Sequence, residues 1–143
     1  MLQIRFLSPS GEDIDDPEIS GLRELVLTRG EEYWNVGSGE AGIDRIKNGE
    51  LTRLRLIFHK GLGFYIVYLD PVGNRFVSLG PGSFQQVVAP PVGGDPLYLP
   101  AKFFVSRPAA WDVIEVFCES GRRSSRVSWA NSEELDWHHP APG

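Results

Sequence analysis

The feature that most constrains the fold is a run of three extended segments between Leu51 and Leu79. In "TRLRLIFH", Leu54, Leu56 and Phe58 alternate with Arg53 and Arg55, the two-residue period of a strand with one buried face. "GFYIVYLD" is apolar on both faces, as a central strand is. "RFVSL" follows the turn "DPVGN". With connections this short the three make an antiparallel meander, and the rest of the chain must be arranged around it.

Further elements can be read on either side. "LQIRF" sets Leu2, Ile4 and Phe6 against Gln3 and Arg5, which predicts another strand. In "DDPEISGLRELVLTRG", Asp16 is placed to cap a helix, Pro17 suits its first position and Gly30 its end, with Ile19, Leu22, Leu25 and Val26 on one face. A second helix is predicted after the cap Ser106, with Pro108 in the first turn. Ala110, Val113, Ile114 and Phe117 lie on its apolar face, Asp112, Glu115 and Glu119 lie opposite, and Gly121 is the stop. "RVSW" then reads as a short strand that can join a sheet edge and set Trp129 at the rim. The 143 residues are 41% hydrophobic, enough for one real core and short for two. The expectation is an α+β fold: a single domain over residues 1–137, an antiparallel sheet of about five or six strands, and two helices. Residues 138–143, "HHPAPG", are expected to form a frayed tail.

Between Gly80 and Pro100 the chain is dense in glycine and proline and has no usable period. It reads as a long ordered loop crossing the domain, a kind of segment that often carries function. The start, "MLQIRFLSPSG", lacks the basic and apolar regions of a secretion signal, and no apolar run has the roughly 20 residues needed to cross a bilayer. A single cysteine, Cys118, suits a reducing compartment, so a cytoplasmic location is expected. The net charge of −5 is uneven: residues 1–50 hold 11 of the 19 acids and 5 of the 14 Lys and Arg. Such a field repels nucleic acid and anionic membrane and speeds association with a basic partner. It also serves simply as a solvated surface.

Catalytic motifs are weak throughout. "GSGEAG", Gly37 to Gly42, has the letters of a dinucleotide loop, but "NG" at Asn48 and Gly49 interrupts the helix such a loop must open, and Glu31, Glu32, Glu40 and Asp44 would repel a pyrophosphate. His59 lies on a strand and His138 and His139 in the tail, too dispersed for a metal site. Cys118 falls at helical spacing beside Ile114 and Trp111, the setting of an inert buried thiol. "GRRSSR" is a basic turn, explained by its place at a helix C-terminus. No enzyme activity, metal or cofactor is expected, and no nucleic-acid or membrane partner.

The order of "YLPAKFFVSRPAA", a helix ending "EVFCESGRR", and "RVSW" resembles the C-terminal half of immunity family one of bacterial polymorphic toxin systems, over roughly residues 64–133. Phe117, Gly121, Arg122, Val127 and Trp129 match that pattern, while Ser124 stands where the family usually has proline. The resemblance implies an α+β protein that binds and blocks a cognate toxin, commonly a nucleic-acid deaminase or nuclease. For the partner-binding surface the sequence offers Glu31, Glu32, Tyr33, Trp34, Glu40 and Asp44, two aromatics bordered by acids beside a glycine loop able to shape itself to a partner. The competing reading puts Tyr33 and Trp34 in the core with the acids as their solvated neighbours. The other functional class open to the chain is a small-molecule-binding module or small enzyme with its site under the Gly80–Pro100 loop.

Overall fold

The structure, a computed structural model, describes residues 1–135. The elements run β1 (Leu2–Leu7), β2 (Asp13–Asp15), α1 (Ile19–Thr28), the single turn α2 (Glu31–Trp34), β3 (Ala41–Lys47), β4 (Glu50–His59), β5 (Gly63–Leu69) and β6 (Arg75–Leu79). Four two-residue strands follow, β7 (Val87–Val88), β8 (Pro91–Val92), β9 (Asp95–Pro96) and β10 (Leu99–Pro100), then β11 (Phe104–Val105), α3 (Arg107–Ser120) and β12 (Ser128–Asn131). The tail expected at 138–143, with His138 and His139, lies outside the described residues, as does Trp137 at the end of the expected domain.

The meander is present as β4–β5–β6 and sits inside an antiparallel sheet of order β12-β6-β5-β4-β3-β1-β2, with β11 on the remaining edge of β5. The fold is α+β, one small domain with two full helices and the single turn α2. Register fixes the two faces. Ile43, Leu54 and Tyr68 share one cross-strand row, and Asp44, Arg53 and Leu69 share the next.

 Asp44 pairs with Arg53, and Arg53 in turn with Leu69, so this second row lies on the face turned away from Leu54.

The first face carries the main core. Phe6, Ile43, Leu54, Leu56, Phe64 and Ile66 pack there against Leu22 and Val26 of α1 and the apolar side of α3. Ala110, Val113, Ile114 and Phe117 are all buried, as their helical spacing predicts. Ser106 caps α3 by accepting from the Ala109 N–H, and Gly121 ends it at φ 73°, in the left-handed region that favours glycine.

The opposite face is covered over only part of its width. There the Gly/Pro-rich segment folds back on itself as two minimal ladders, β7 with β10 and β8 with β9, and forms a flap over β5 and β6. Its entry is tight: the Gly80 N–H donates to the Lys102 carbonyl at 2.7 Å, and a Cβ on Gly80 would stand 1.8 Å from the Phe104 oxygen. Val77, Leu99, Phe103 and Phe104 form a second, smaller core beneath it.

Three local expectations are corrected. Asp16 does not cap α1. Its N–H is tied to the Ile4 carbonyl at 2.7 Å by the pairing of β2 with β1, it takes φ 46°, and the helix starts two residues beyond Pro17. Ile19, at the first position, is consequently exposed. Gly30 does not end α1 either; Arg29 leaves the helix extended and Gly30 opens α2.

Candidate functional site

Of the residues expected at a partner surface, Trp34 is the clearest correction. The single turn α2 inserts it between α1 and the sheet, where it is 1% exposed, meets Phe6, Tyr33 and Phe64 edge-on, and donates its indole N–H to the Leu25 carbonyl at 3.2 Å. Tyr33 is half-buried beside it, with the Arg29 guanidinium over its ring, and burial pushes its phenol up. The core reading of this aromatic pair therefore holds for Trp34.

Asp44 is the second correction. It is 2% exposed on the helix-free face and takes a two-pronged grip from Arg53, whose Nε donates to Oδ1 and whose Nη2 donates to Oδ2 at 2.8 Å. That hydrogen-bonded carboxylate holds the guanidinium above its already high ordinary value. Asp44 is a strut of the sheet, closed to a partner.

The remaining acids do not converge. Glu31 lies 3.8 Å from Lys60, and Glu32 lies 3.5 Å from Arg29 and accepts from the Gly30 N–H, which holds its carboxyl below the usual range. These two border a shallow cleft of about 510 Å³ between α2, the β4–β5 turn and the start of α3. Glu40 stands elsewhere, on the helix-free side, 3.5 Å from Arg55. Nor is the glycine loop free to reshape: a Cβ on Gly37 would meet the Pro9 oxygen at 2.2 Å and one on Gly39 the Pro91 oxygen at 2.1 Å. Ala41 and Gly42 continue from it into β3, so the helix that a dinucleotide loop requires is replaced by a strand.

The helix-free face carries a second constellation, which the sequence did not single out. A cleft of about 340 Å³ opens where the flap meets the sheet. Ile57, Tyr65, Val67 and Val77 make its floor and Leu97, Leu99 and Phe103 its flap wall. Arg55, Arg75 and Glu40 supply its charge. The Tyr65 ring stacks on Phe103 at 5.8 Å, burial pushes its phenol up, and its hydroxyl has no hydrogen-bond partner among the described residues. Beside the cleft, charges alternate across the open strands, Asp15 with Arg5 at 3.2 Å and Asp44 with Arg53. The only hint in the sequence was the outward alternation of Arg53 and Arg55; Arg75 and the flap leucines lie far from them along the chain.

Other chemistry-bearing residues are occupied structurally. Burial pushes the Cys118 thiol up to about 11. The His59 ring Nδ1 lies 2.9 Å from the Lys60 carbonyl. Among the described residues no group of three or more His, Cys, Asp or Glu is placed to hold a metal ion, and no helix is long and apolar enough to cross a membrane. In the basic turn, Arg123 lies over the Phe76 ring at 3.7 Å and Arg126 pairs with Asp112 at 3.2 Å. Ser124 is buried: its carbonyl accepts from the Trp129 indole at 2.8 Å and its hydroxyl from the Arg126 N–H at 3.2 Å.

Fold and site together define a small α+β domain with one sheet face closed by helices and the other half open. No family model matches the chain, and no curated protein matches it.

Proposed function

We propose that this protein is an immunity-type inhibitor that binds a cognate bacterial toxin domain and neutralises it by stoichiometric occlusion, with no reaction or cofactor of its own. The observation that carries the reading is the helix-free sheet face. Arg5 and Arg53 are held there by Asp15 and the buried Asp44, and farther along the same face lies the cleft under the flap with Arg55 and Arg75. A surface ordered before contact loses little side-chain entropy on docking, which suits tight one-to-one binding. The resemblance of the α3–turn–β12 unit to immunity family one supports a toxin partner of the class common for that family, a nucleic-acid deaminase or nuclease.

The test is co-expression with the C-terminal toxin domain of a polymorphic toxin from the same bacterium. Restored growth together with a one-to-one complex on size exclusion is the expected result; toxicity unchanged and no complex would sink the proposal. A second reading, a small-molecule-binding module, draws on the same cleft, because its floor is apolar and its polar groups few.

A further inference from the structure

We infer that the cleft under the flap receives an acidic-apolar segment of the bound protein: an apolar side chain on the floor, next to a carboxylate held by Arg75. The inference deepens the immunity-type reading and rests on it for the identity of the partner. Shape provides the apolar half. Ile57, Val67 and Val77 are buried from the sheet side, and Leu97 and Leu99 close the cleft from the flap, leaving room for one or two side chains.

Charge provides the other half. The cleft lining holds two arginines against one acid, a local excess of +1 on a protein of net charge −5. Arg55 already has Glu40 at 3.5 Å, whereas Arg75 is exposed and makes no ion pair among the described residues. A planar guanidinium beside an apolar floor matches a carboxylate in two-pronged geometry. Glu40 on the rim opposes a doubly charged phosphate and tolerates a single carboxylate, and the Tyr65 hydroxyl, without a hydrogen-bond partner among the described residues, offers one more donor. The basic turn at Arg122–Arg126 is a weaker candidate, since Arg123 is spent on ring faces and Arg126 on Asp112.

The experiment has two arms on the full chain. In the first, NMR follows the resonances of Tyr65, Val77 and Leu99 during titration with a capped pentapeptide of sequence GFELG, its neutral counterpart GFQLG, and decanoate. The expected result is saturable shifts with GFELG, binding of GFQLG weaker by roughly tenfold, and loss of the GFELG response in Arg75→Glu, whose exposed position leaves the fold intact. In the second arm, Arg75→Glu weakens the complex with the toxin domain by roughly tenfold or more. Equal binding of both peptides, no shifts with either, or saturation by decanoate alone overturns the inference, the last in favour of a small amphiphile. A toxin complex that forms normally with Arg75→Glu overturns it while leaving the immunity reading intact. Peptide results as expected with no toxin complex at all would remove the immunity reading and leave an acidic-apolar peptide site.

Discussion

Replacing Asp44 with Asn separates a structural carboxylate from a partner contact. Asp44 is 2% exposed, while the Arg53 side chain keeps 31% of its surface, so the substitution removes a buried anion and leaves a cation that still reaches water. Breaking a fully buried pair costs about 3–5 kcal/mol; the exposure of Arg53 lowers this to about 2 kcal/mol. Arg5 faces Asp44 across β1 and β3 but has Asp15 as a second partner, so it adds little. At a urea m-value of about 2 kcal/mol/M, the midpoint should fall by about 1 M. The cycle with Arg53→Gln should return a coupling of about 1–3 kcal/mol that persists in high salt, where exposed pairs are screened. An unchanged midpoint, or a complex weakened with stability intact, would refute the reasoning and return Asp44 to the partner surface.

Phe117 is fully buried and meets Tyr68 edge-on, so Phe117→Ala should destabilise the fold by about 3–5 kcal/mol in urea unfolding; a loss under about 1 kcal/mol would mean that α3 packs by another face. Cys118, with its thiol near 11 against an ordinary 9.0, should react with a disulfide reagent at pH 8 roughly a hundredfold more slowly than a free thiol. Between those two values the folded state keeps a proton that the unfolded chain releases, so this group makes stability fall as pH rises above 9, a slope that Cys118→Ser removes. Two glycines should respond with opposite sign in thermal unfolding. Gly21→Ala, on an exposed helix position with open space, should stabilise by about 0.5 kcal/mol, and Gly80→Ala, driven into the Phe104 carbonyl, should destabilise by about 3 kcal/mol or more.

The parts of the fold governed by local rules were readable from the chain. Ser106, Pro108 and Gly121 bound α3 through capping chemistry that needs no distant partner, and the alternation of Leu54, Leu56 and Phe58 survives because both neighbours of β4 share its register. β3 was not readable. Ile43 and Ile46 stand three apart, a helical spacing, and the Asp44 and Arg45 between them acquire their places only from Arg53 on β4 and from the Glu119 carbonyl of α3, which accepts from Arg45 at 3.5 Å. Trp34 and Asp16 were each decided by tertiary contacts, the one by the gap between α1 and the sheet, the other by the ladder of β2 with β1. The cleft is the extreme case: Arg55, Arg75 and Leu97 come from β4, β6 and the flap, and no window of sequence holds two of them.

The charge pattern leads to a last prediction, because pairing changes the local potential without changing the total. Glu31, Glu32, Glu40 and Asp44 each have a cation beside them, whereas Asp13 and Glu18, at the edge strand β2 and the start of α1, are exposed and unpaired among the described residues. Asp13 and Glu18 thus place two uncompensated negative charges at the β2 edge, on a different part of the sheet from Arg75 in the cleft. In complex formation with the proposed toxin domain the two should act on different rates. Asp13→Asn with Glu18→Gln should slow association by roughly two- to fivefold and flatten its salt dependence, leaving dissociation unchanged. Arg75→Glu should instead speed dissociation, because a short-range pair holds the docked state and barely steers the encounter. Stopped-flow association and surface-plasmon dissociation separate the two. If the acid variant dissociates faster at an unaltered association rate, the β2 edge is itself in contact with the toxin, and the division between steering and grip is wrong.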